Sequence, residues 1–173
     1  FPFDLPSLQA EAYRHFGMAP RNSSDVAERL YLDALISYPR TSSQKLPPSI
    51  DYRELLQRLS KNSNYERQAA ALLDIRELHP NEGKRVDTAH PAVYPTGALP
   101  KRSLEPREFK VYDLIVKRFM GTFGQPATRE TIKATIGVNG LKFYLRGSRI
   151  AAAGWIDFYK PYARFEDVTI PPV

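Results

Sequence analysis

The sequence predicts an α+β protein, in which a helical unit is followed by a small antiparallel β segment. Apolar residues recur at helical spacing as far as Gly124, and from Pro126 onwards they alternate with polar residues instead. The pair Asn139-Gly140 stands between two alternating runs, which is a strong local signal for a hairpin turn. We therefore place a boundary near Gly124.

The helical unit divides into five predicted helices. The first runs from Leu5 to Phe16, with a proline near its start and Gly17 after its end. The second begins at Asp25, because Glu28 three residues later completes a capping-box pattern, and its apolar stripe continues until Pro39 forbids a helix. Residues 18–24 then form a short turn of the kind that joins the helices of a helix-turn-helix unit, although such turns are more often found between two ordinary packed helices. Three further helices are predicted over residues 51–59, 63–73 and 106–123.

Two segments lie outside this regular spacing. Residues 79–103 contain four prolines and two glycines and show little periodicity, so we expect a long functional loop there. Residues 149–159, around Trp155, predict one more strand after the hairpin.

Composition narrows the possible chemistry. The 173 residues include no cysteine, which excludes disulfides, thiol nucleophiles and cysteine-based zinc sites, and three histidines without helical pairing argue against another metal site. A net charge of +6 suits a polyanionic partner without proving one. No apolar run approaches the roughly 20 residues of a membrane span. Since Phe1 begins without a methionine or a leader pattern, we expect a fragment of a longer protein.

The first chemically suggestive segment is residues 37–43. Pro39 biases Tyr38 towards an extended backbone, so the phenol should project in a fixed direction. Residues two apart in an extended segment point the same way, which would put the guanidinium of Arg40 beside that phenol. A guanidinium can bind phosphate oxygens bidentately and favours a neighbouring phenolate. The segment also supplies hydroxyl donors, at Thr41, Ser42 and Ser43. Taken alone, such a segment is usually an ordinary surface turn in which the tyrosine packs on the proline.

The second suggestive segment is residues 87–97, around His90. Prolines flank this stretch, so His90 is expected in a loop that is open to a ligand. Its imidazole can donate to a phosphate or transfer a proton near neutral pH. A loop histidine without a role is the ordinary alternative.

Four motifs, in this order, resemble the central core of the type IA DNA topoisomerases. They are Phe3-Asp-Leu-Pro-Ser-Leu-Gln9, Ala27-Glu-Arg-Leu-Tyr31, Ile36-Ser-Tyr-Pro-Arg-Thr41 and Ala89-His-Pro-Ala-Val-Tyr-Pro-Thr96. The similarity continues through residues 111–119 and the β stretch to Trp155, and so covers most of the chain. The proline directly after Tyr38 resembles topoisomerase III-type and archaeal members more than bacterial topoisomerase I.

The resemblance implies an activity and a set of site residues. The intact enzyme would cut single-stranded DNA, pass a strand through the break and reseal it without ATP, relaxing or decatenating DNA. Tyr38 would be the nucleophile that forms a 5′-phosphotyrosine link, Arg40 would place the scissile phosphate, and His90 would contact the backbone beside it. Further DNA contacts are expected at Thr41, Ser42, Ser43, Arg14, Arg21 and Lys45. Where many members carry an acid two residues after the arginine, this chain has Ser42.

The resemblance also implies a domain organisation. Residues 3–124 would form a nucleophile-bearing domain similar to a winged helix, and residues 125–173 one strand set of the β arch that hinges it. The acidic domain that binds Mg²⁺ in the family lies outside this chain, so we expect no metal site here and no activity from the chain alone. The expected partner is single-stranded DNA, and the intact enzyme is expected to be a monomer in the cytoplasm, at the nucleoid, with no membrane association.

Three other interpretations stay open from the residues themselves. A non-catalytic helix-turn-helix module would bind duplex DNA and tolerate Tyr38→Phe. A protein-interaction adaptor with incidental positive charge would show no salt-sensitive DNA binding. A tyrosine recombinase would need several separated arginines in the pocket, and only Arg40 is in place.

Overall fold

The computed structural model describes residues 1–163, 165 and 167–169. They form the predicted α+β arrangement. The elements in chain order are α1 (Leu5–Phe16), α2 (Pro20–Leu32), α3 (Tyr52–Leu59), α4 (Glu66–Leu73), α5 (Pro106–Gly121), β1 (Thr128–Val138), β2 (Leu141–Ala152) and α6 (Ile156–Tyr159). Among these described helices, none is both long enough and apolar enough to cross a membrane.

Helix α5 is the centre of the helical unit. Its side chains are buried on nearly every face, and α1, α2, α4 and α6 all pack against it. The residues that fill this core from α5 include Val111, Leu114, Ile115, Phe119 and Met120, all at most 1% exposed. A helix buried all round in this way organises the smaller amphipathic helices about it.

Helix α1 has the bounds that the sequence predicts, because the residues that cap its two ends are directly adjacent to it in the sequence. The Asp4 carboxylate accepts a hydrogen bond from the Ser7 backbone N–H at 2.9 Å, which caps the first turn. At the other end Gly17 adopts a left-handed conformation with φ of 63° and closes the helix.

Helix α2 begins earlier than predicted. It starts at Pro20, so the predicted turn over residues 18–24 is wrong and only Gly17 to Ala19 separate the two helices. Proline is favoured at a first helical position because its missing N–H needs no partner there. The hydroxyls of Ser23 and Ser24 donate to the Pro20 carbonyl at 2.9 and 3.0 Å, which stabilises this first turn. Asp25 therefore lies inside the helix.

Helix α2 also ends earlier than predicted, at Leu32 rather than near Pro39. Asp33 is its C-cap, and Ala34 turns the chain with a positive φ of 59°. The chain can then bury Leu35 and Ile36, both 1% exposed. Tyr38 consequently lies on an irregular segment beyond the helix, and Pro39 is not what ends α2.

The β segment is the predicted hairpin, with Asn139-Gly140 at its turn and β1 antiparallel to β2. The strand predicted around Trp155 is wrong, because β2 ends at Ala152 and Trp155 is the N-cap of α6. Val168 makes an isolated bridge to Ser148 on the outer edge of β2. One face of the hairpin carries only apolar side chains along its middle, at Ile132, Ala134, Ile136, Val138, Leu141, Phe143 and Leu145.

Candidate active site

Two segments that are far apart in sequence lie side by side and form the candidate site. In agreement with the predicted loop, the residues between α4 and α5 form neither helix nor strand apart from isolated bridges. Ile36 bridges to Pro95, and the Ser37 backbone N–H donates to the Tyr94 carbonyl at 2.9 Å. The Ser37 hydroxyl also donates to the Ala92 carbonyl at 3.1 Å. This pairing brings Tyr38 and the His90 loop together.

The phenol ring of Tyr38 lies between two other rings. Its centroid is 4.5 Å from that of His90, at an interplanar angle of 49°, and 5.3 Å from that of Tyr31, which meets it edge-on. The side chain is half-buried. None of the hydrogen bonds in the described part of the chain uses the Tyr38 hydroxyl. The ring is therefore fixed by packing, while its oxygen stays available for chemistry.

Arg40 extends towards α2, on the same side as Tyr38. Its Nη2 donates to the Glu28 Oε2 at 2.6 Å. The hydrogen bond to Glu28 is the main reason that the pKa of Arg40 is raised, and a smaller contribution comes from the nearby Tyr38 oxygen. Glu28 and Tyr31 are one helical turn apart, so a single face of α2 contacts both Arg40 and Tyr38.

The carboxylate of Asp87 joins the His90 loop to residues 37–43, the segment that carries Tyr38. Its Oδ1 accepts from the backbone N–H groups of Ala89 and His90 at 2.9 and 3.2 Å. Its Oδ2 accepts from Ser42, through both the backbone N–H and the hydroxyl. The backbone donors, Ala89 first, lower the pKa of Asp87 to about 2. Asp87 is therefore ionised at neutral pH and acts as a clamp.

The three predicted hydroxyl residues differ in exposure. Thr41 and Ser43 are 4% and 1% exposed, and their hydroxyls are used inside the protein. The Thr41 hydroxyl donates to the His90 carbonyl at 3.1 Å and accepts from the Ser43 backbone N–H at 3.0 Å. Ser42 is exposed. The two buried residues thus shape the segment rather than presenting a donor to solvent.

The three predicted basic contacts are spread over the surface. Arg21 is exposed and lies two turns before Glu28 on α2, which places it on the same face at about 10 Å along the axis. Lys45 follows the segment that carries Tyr38 and pairs with Glu82 at 3.4 Å. Arg14 pairs with Glu11 at 3.5 Å near the end of α1, and no contact among the described residues joins it to Tyr38.

Sequence reasoning did not assign roles to Glu28, Tyr31 or Asp87. The spacing of Glu28 and Tyr31 on α2 was a usable signal, since residues three apart share a helix face. Asp87 precedes a run of free loop N–H groups, which is a common setting for aspartate as a local acceptor. The sequence does not show the tertiary contacts that place these residues near the segment that carries Tyr38.

The described residues present no group of side chains that fits the implied magnesium ion. Within residues 1–163, 165 and 167–169, no group of three or more histidine or acidic side chains stands close enough to hold a metal ion. Asp87 and Glu28 each contact donors of this chain instead.

The comparisons with known proteins agree on one family. A family model described as DNA topoisomerase matches residues 1–173. This chain is 48% identical over 171 residues to the DNA topoisomerase 1 of Pyrococcus horikoshii, covering 98% of this chain and 25% of that protein. It is 45% identical over 172 residues to the DNA topoisomerase 1 of Methanothermobacter thermautotrophicus, covering 99% and 23%. The chain thus spans about a quarter of the length of these curated relatives.

A solved structure has the same fold. Full-length topoisomerase I from Thermotoga maritima aligns with a TM-score of 0.63 and 24% identity, over 96% of this chain and 29% of that chain. This likeness concerns the fold alone.

Proposed function

Because this chain belongs to the type IA DNA topoisomerase family, we propose that the longer protein containing it changes DNA topology by cutting and rejoining one strand at Tyr38. The observation that supports this most strongly is the packing of His90 on Tyr38, with Arg40 two residues further on and paired with Glu28 on the face of α2 that also contacts Tyr38. A ring fixed by packing, a cation beside it and an imidazole against it provide the groups that a phosphoryl transfer needs.

In the proposed reaction, the Tyr38 oxygen attacks the phosphorus of a phosphodiester in single-stranded DNA. The bond from phosphorus to the 3′ oxygen breaks as the bond to the Tyr38 oxygen forms, and the phenol proton ends on the released 3′ hydroxyl. The 5′ end stays attached to Tyr38 as a phosphotyrosine. Resealing runs the same steps in reverse, so the exchange needs no ATP. Covalent catalysis here divides one exchange of phosphate partners into two steps.

Arg40 and His90 have different parts in this reaction. The Arg40 guanidinium binds the scissile phosphate and stabilises the charge that develops on its oxygens. His90 lies against the ring of Tyr38, where its imidazole can donate to the DNA backbone beside the cut or help to move the proton.

The exposure of the other predicted site residues decides which of them are proposed to contact DNA. Ser42 and Arg21 are exposed beside the site, and Lys45 lies at the end of the nucleophile segment, so these three are proposed to follow the strand. Thr41 and Ser43 act by shaping the segment, since their hydroxyls are buried. Arg14 would contact only a more distant part of the DNA.

The domain proposal places the nucleophile on residues 3–124, similar to a winged helix, and part of a hinging β arch on residues 125–173. It is supported by the end of α5 at Gly121 and the start of β1 at Thr128. The Mg²⁺ ligands would lie in an acidic domain outside this chain, and no step above is derived through the ion. The intact enzyme is proposed to act as a monomer on DNA in the cytoplasm, at the nucleoid.

The experiment that tests this function is covalent capture of DNA by the full-length protein. Wild type, incubated with a labelled single-stranded oligonucleotide and then denatured, should carry the label on the peptide that contains Tyr38. Tyr38→Phe keeps the ring and should give no adduct. Tyr31→Phe is the matched control, because it removes a hydroxyl from the neighbouring ring and should leave capture intact. An adduct in Tyr38→Phe would overturn the proposal.

The alternative of a non-catalytic helix-turn-helix module is less well supported. Such a module must present its second helix to a DNA groove. One face of α2 is instead in contact with the Tyr38 segment, through Glu28 and Tyr31. That alternative predicts duplex binding that is unchanged by Tyr38→Phe and no covalent product from wild type.

A further inference from the structure

Glu28 forms an ion pair with Arg40, the cation that is proposed to bind the scissile phosphate. Its Oε2 lies 2.6 Å from the Arg40 Nη2, which is the spacing of a strong charge-assisted hydrogen bond. No other hydrogen bond to a side chain or carbonyl is made by Arg40 within the described residues. In the absence of DNA, Nη2 of Arg40 is thus held by a carboxylate of this same chain.

Carboxylate and phosphate oxygens bind a guanidinium in the same manner, so they compete for it. A phosphodiester that approached Tyr38 while Glu28 held Arg40 would meet a negative charge at the position where it needs a positive one. The phosphate can use the Nη2 donors of Arg40 without a neighbouring negative charge only if Glu28 gives up its contact.

The Glu28–Arg40 contact is suited to being exchanged. The two side chains are 45% and 58% exposed, and an ion pair at that exposure contributes little to stability because water screens the charges. Glu28 extends from α2, whose buried face holds Val26, Ala27 and Leu30 in the core. Releasing Arg40 therefore needs only side-chain rotation, with the helix left in place.

We propose that Glu28 is a positioning residue that stands in for the scissile phosphate: it holds the Arg40 guanidinium beside Tyr38 in the free protein and is displaced from it when DNA binds. This inference rests on the proposed function, since it assumes that Arg40 binds phosphate. In this proposal Glu28 weakens the binding of DNA at Arg40. Only a polyanion that lies along the whole site then displaces Glu28 from Arg40.

The chain offers a matched control for the charge of Glu28. Asp25 lies three residues earlier on α2, is exposed, and acts on Arg40 through its charge without bonding to it. Asp25→Asn and Glu28→Gln therefore remove the same charge from the same helix. Only Glu28→Gln removes the ion pair with Arg40.

The test measures binding of a fluorescein-labelled oligothymidylate to the full-length protein by fluorescence anisotropy at low salt. A Tyr38→Phe background prevents cleavage and keeps the ring that packs on His90. Glu28→Gln should tighten binding by about fivefold, the difference that freeing one charged donor makes. Asp25→Asn should change it by less than about twofold, because a screened charge without a contact acts weakly.

A double-mutant cycle completes the test. When Arg40→Ala is added, Glu28→Gln should no longer tighten binding, since the competition needs both partners. Three outcomes would each overturn the inference. The first is an equal gain in affinity from Glu28→Gln and Asp25→Asn, the second is a gain from Glu28→Gln that persists without Arg40, and the third is weaker DNA binding by Glu28→Gln. Covalent capture at Tyr38 by wild type reports on the proposed function separately, so failure of one is distinguishable from failure of the other.

Discussion

The Asp87 carboxylate binds Ser42 twice, accepting from its backbone N–H at 3.2 Å and from its hydroxyl at 3.1 Å. The partners are 45 residues apart in sequence. Since the same carboxylate also accepts from the backbone of His90, it sets the distance between the His90 loop and the segment that carries Tyr38. This makes Asp87 a determinant of the site although it does not contact the proposed nucleophile.

Asp87→Asn should slow DNA cleavage without preventing folding. Asparagine keeps one oxygen acceptor but loses the charge and the second acceptor, so Ser42 and His90 are no longer held by one group. A small displacement between reacting groups is costly in rate, and we expect a decrease of about tenfold. Single-turnover cleavage by the full-length protein measures it. Asp157→Asn, an exposed aspartate on α6, is the control, and an unchanged rate in Asp87→Asn would refute the clamp.

His90→Ala should lower the cleavage rate more than it lowers DNA affinity. The imidazole packs on the Tyr38 ring at 4.5 Å, so its loss removes both a proton carrier and a packing partner. We expect about a 100-fold loss in single-turnover rate, in the range of general acid–base contributions. His79→Ala is the matched control, because His79 is 83% exposed and contacts only Glu77 among the described residues. Equal rates in the two variants would exclude a role for His90.

The helices and the hairpin could be predicted where the deciding signals are local. Pro6 and Gly17 mark the ends of α1 within the sequence itself, and Asn139-Gly140 makes the hairpin turn. The start of α2 was missed because two local signals compete, Pro20 and the capping-box pattern at Asp25, and spacing alone does not rank them. Trp155 was misassigned because its conformation depends on its backbone N–H donating to the Gln125 carbonyl, a tertiary contact.

The candidate site was predictable only in part. The order of the motifs is enough to propose Tyr38, Arg40 and His90, and their roles stay a prediction. In the structure His90 packs on Tyr38, and Arg40 pairs with Glu28, one turn of α2 before the Tyr31 ring that also contacts Tyr38. The contacts of Glu28 with Arg40 and of Asp87 with Ser42 were not predictable, because each joins residues that are far apart along the chain, even though the helix face of Glu28 could be read from its spacing. Periodicity describes which face a residue occupies and carries no information on which distant loop meets that face.

Glu108 gives a prediction for stability and its dependence on pH. It is 1% exposed at the start of α5, and Arg102 donates to both of its oxygens, at 2.7 and 2.9 Å. These bonds lower the pKa of Glu108 to about 2 from an ordinary 4.5. Glu108→Gln weakens both charge-assisted bonds and should reduce the free energy of unfolding by about 2 kcal/mol at neutral pH.

The pH dependence of Glu108→Gln has a defined direction. A carboxyl whose folded pKa is depressed stabilises the fold above its unfolded pKa, and this contribution is lost as the pH falls from about 4.5 towards 2. The difference in melting temperature between wild type and Glu108→Gln should therefore shrink in that window, as followed by circular dichroism. Glu66→Gln, an exposed acid in the first turn of α4, should show no such change. A constant difference would contradict the assignment.

Gly154 lies at the junction between the hairpin and the helical unit, packed against Gln125 and Pro126. It adopts a left-handed φ of 52°, and a Cβ placed on it would lie 2.2 Å from the Gln125 carbonyl oxygen, well inside any real contact. Gly154→Ala should therefore destabilise the fold by about 3 kcal/mol through backbone strain and overpacking. Thermal unfolding measures the loss. Gly137→Ala is the control, since Gly137 lies on β1 with no atom near an added Cβ, and equal melting temperatures in the two variants would show that this junction is not tightly packed.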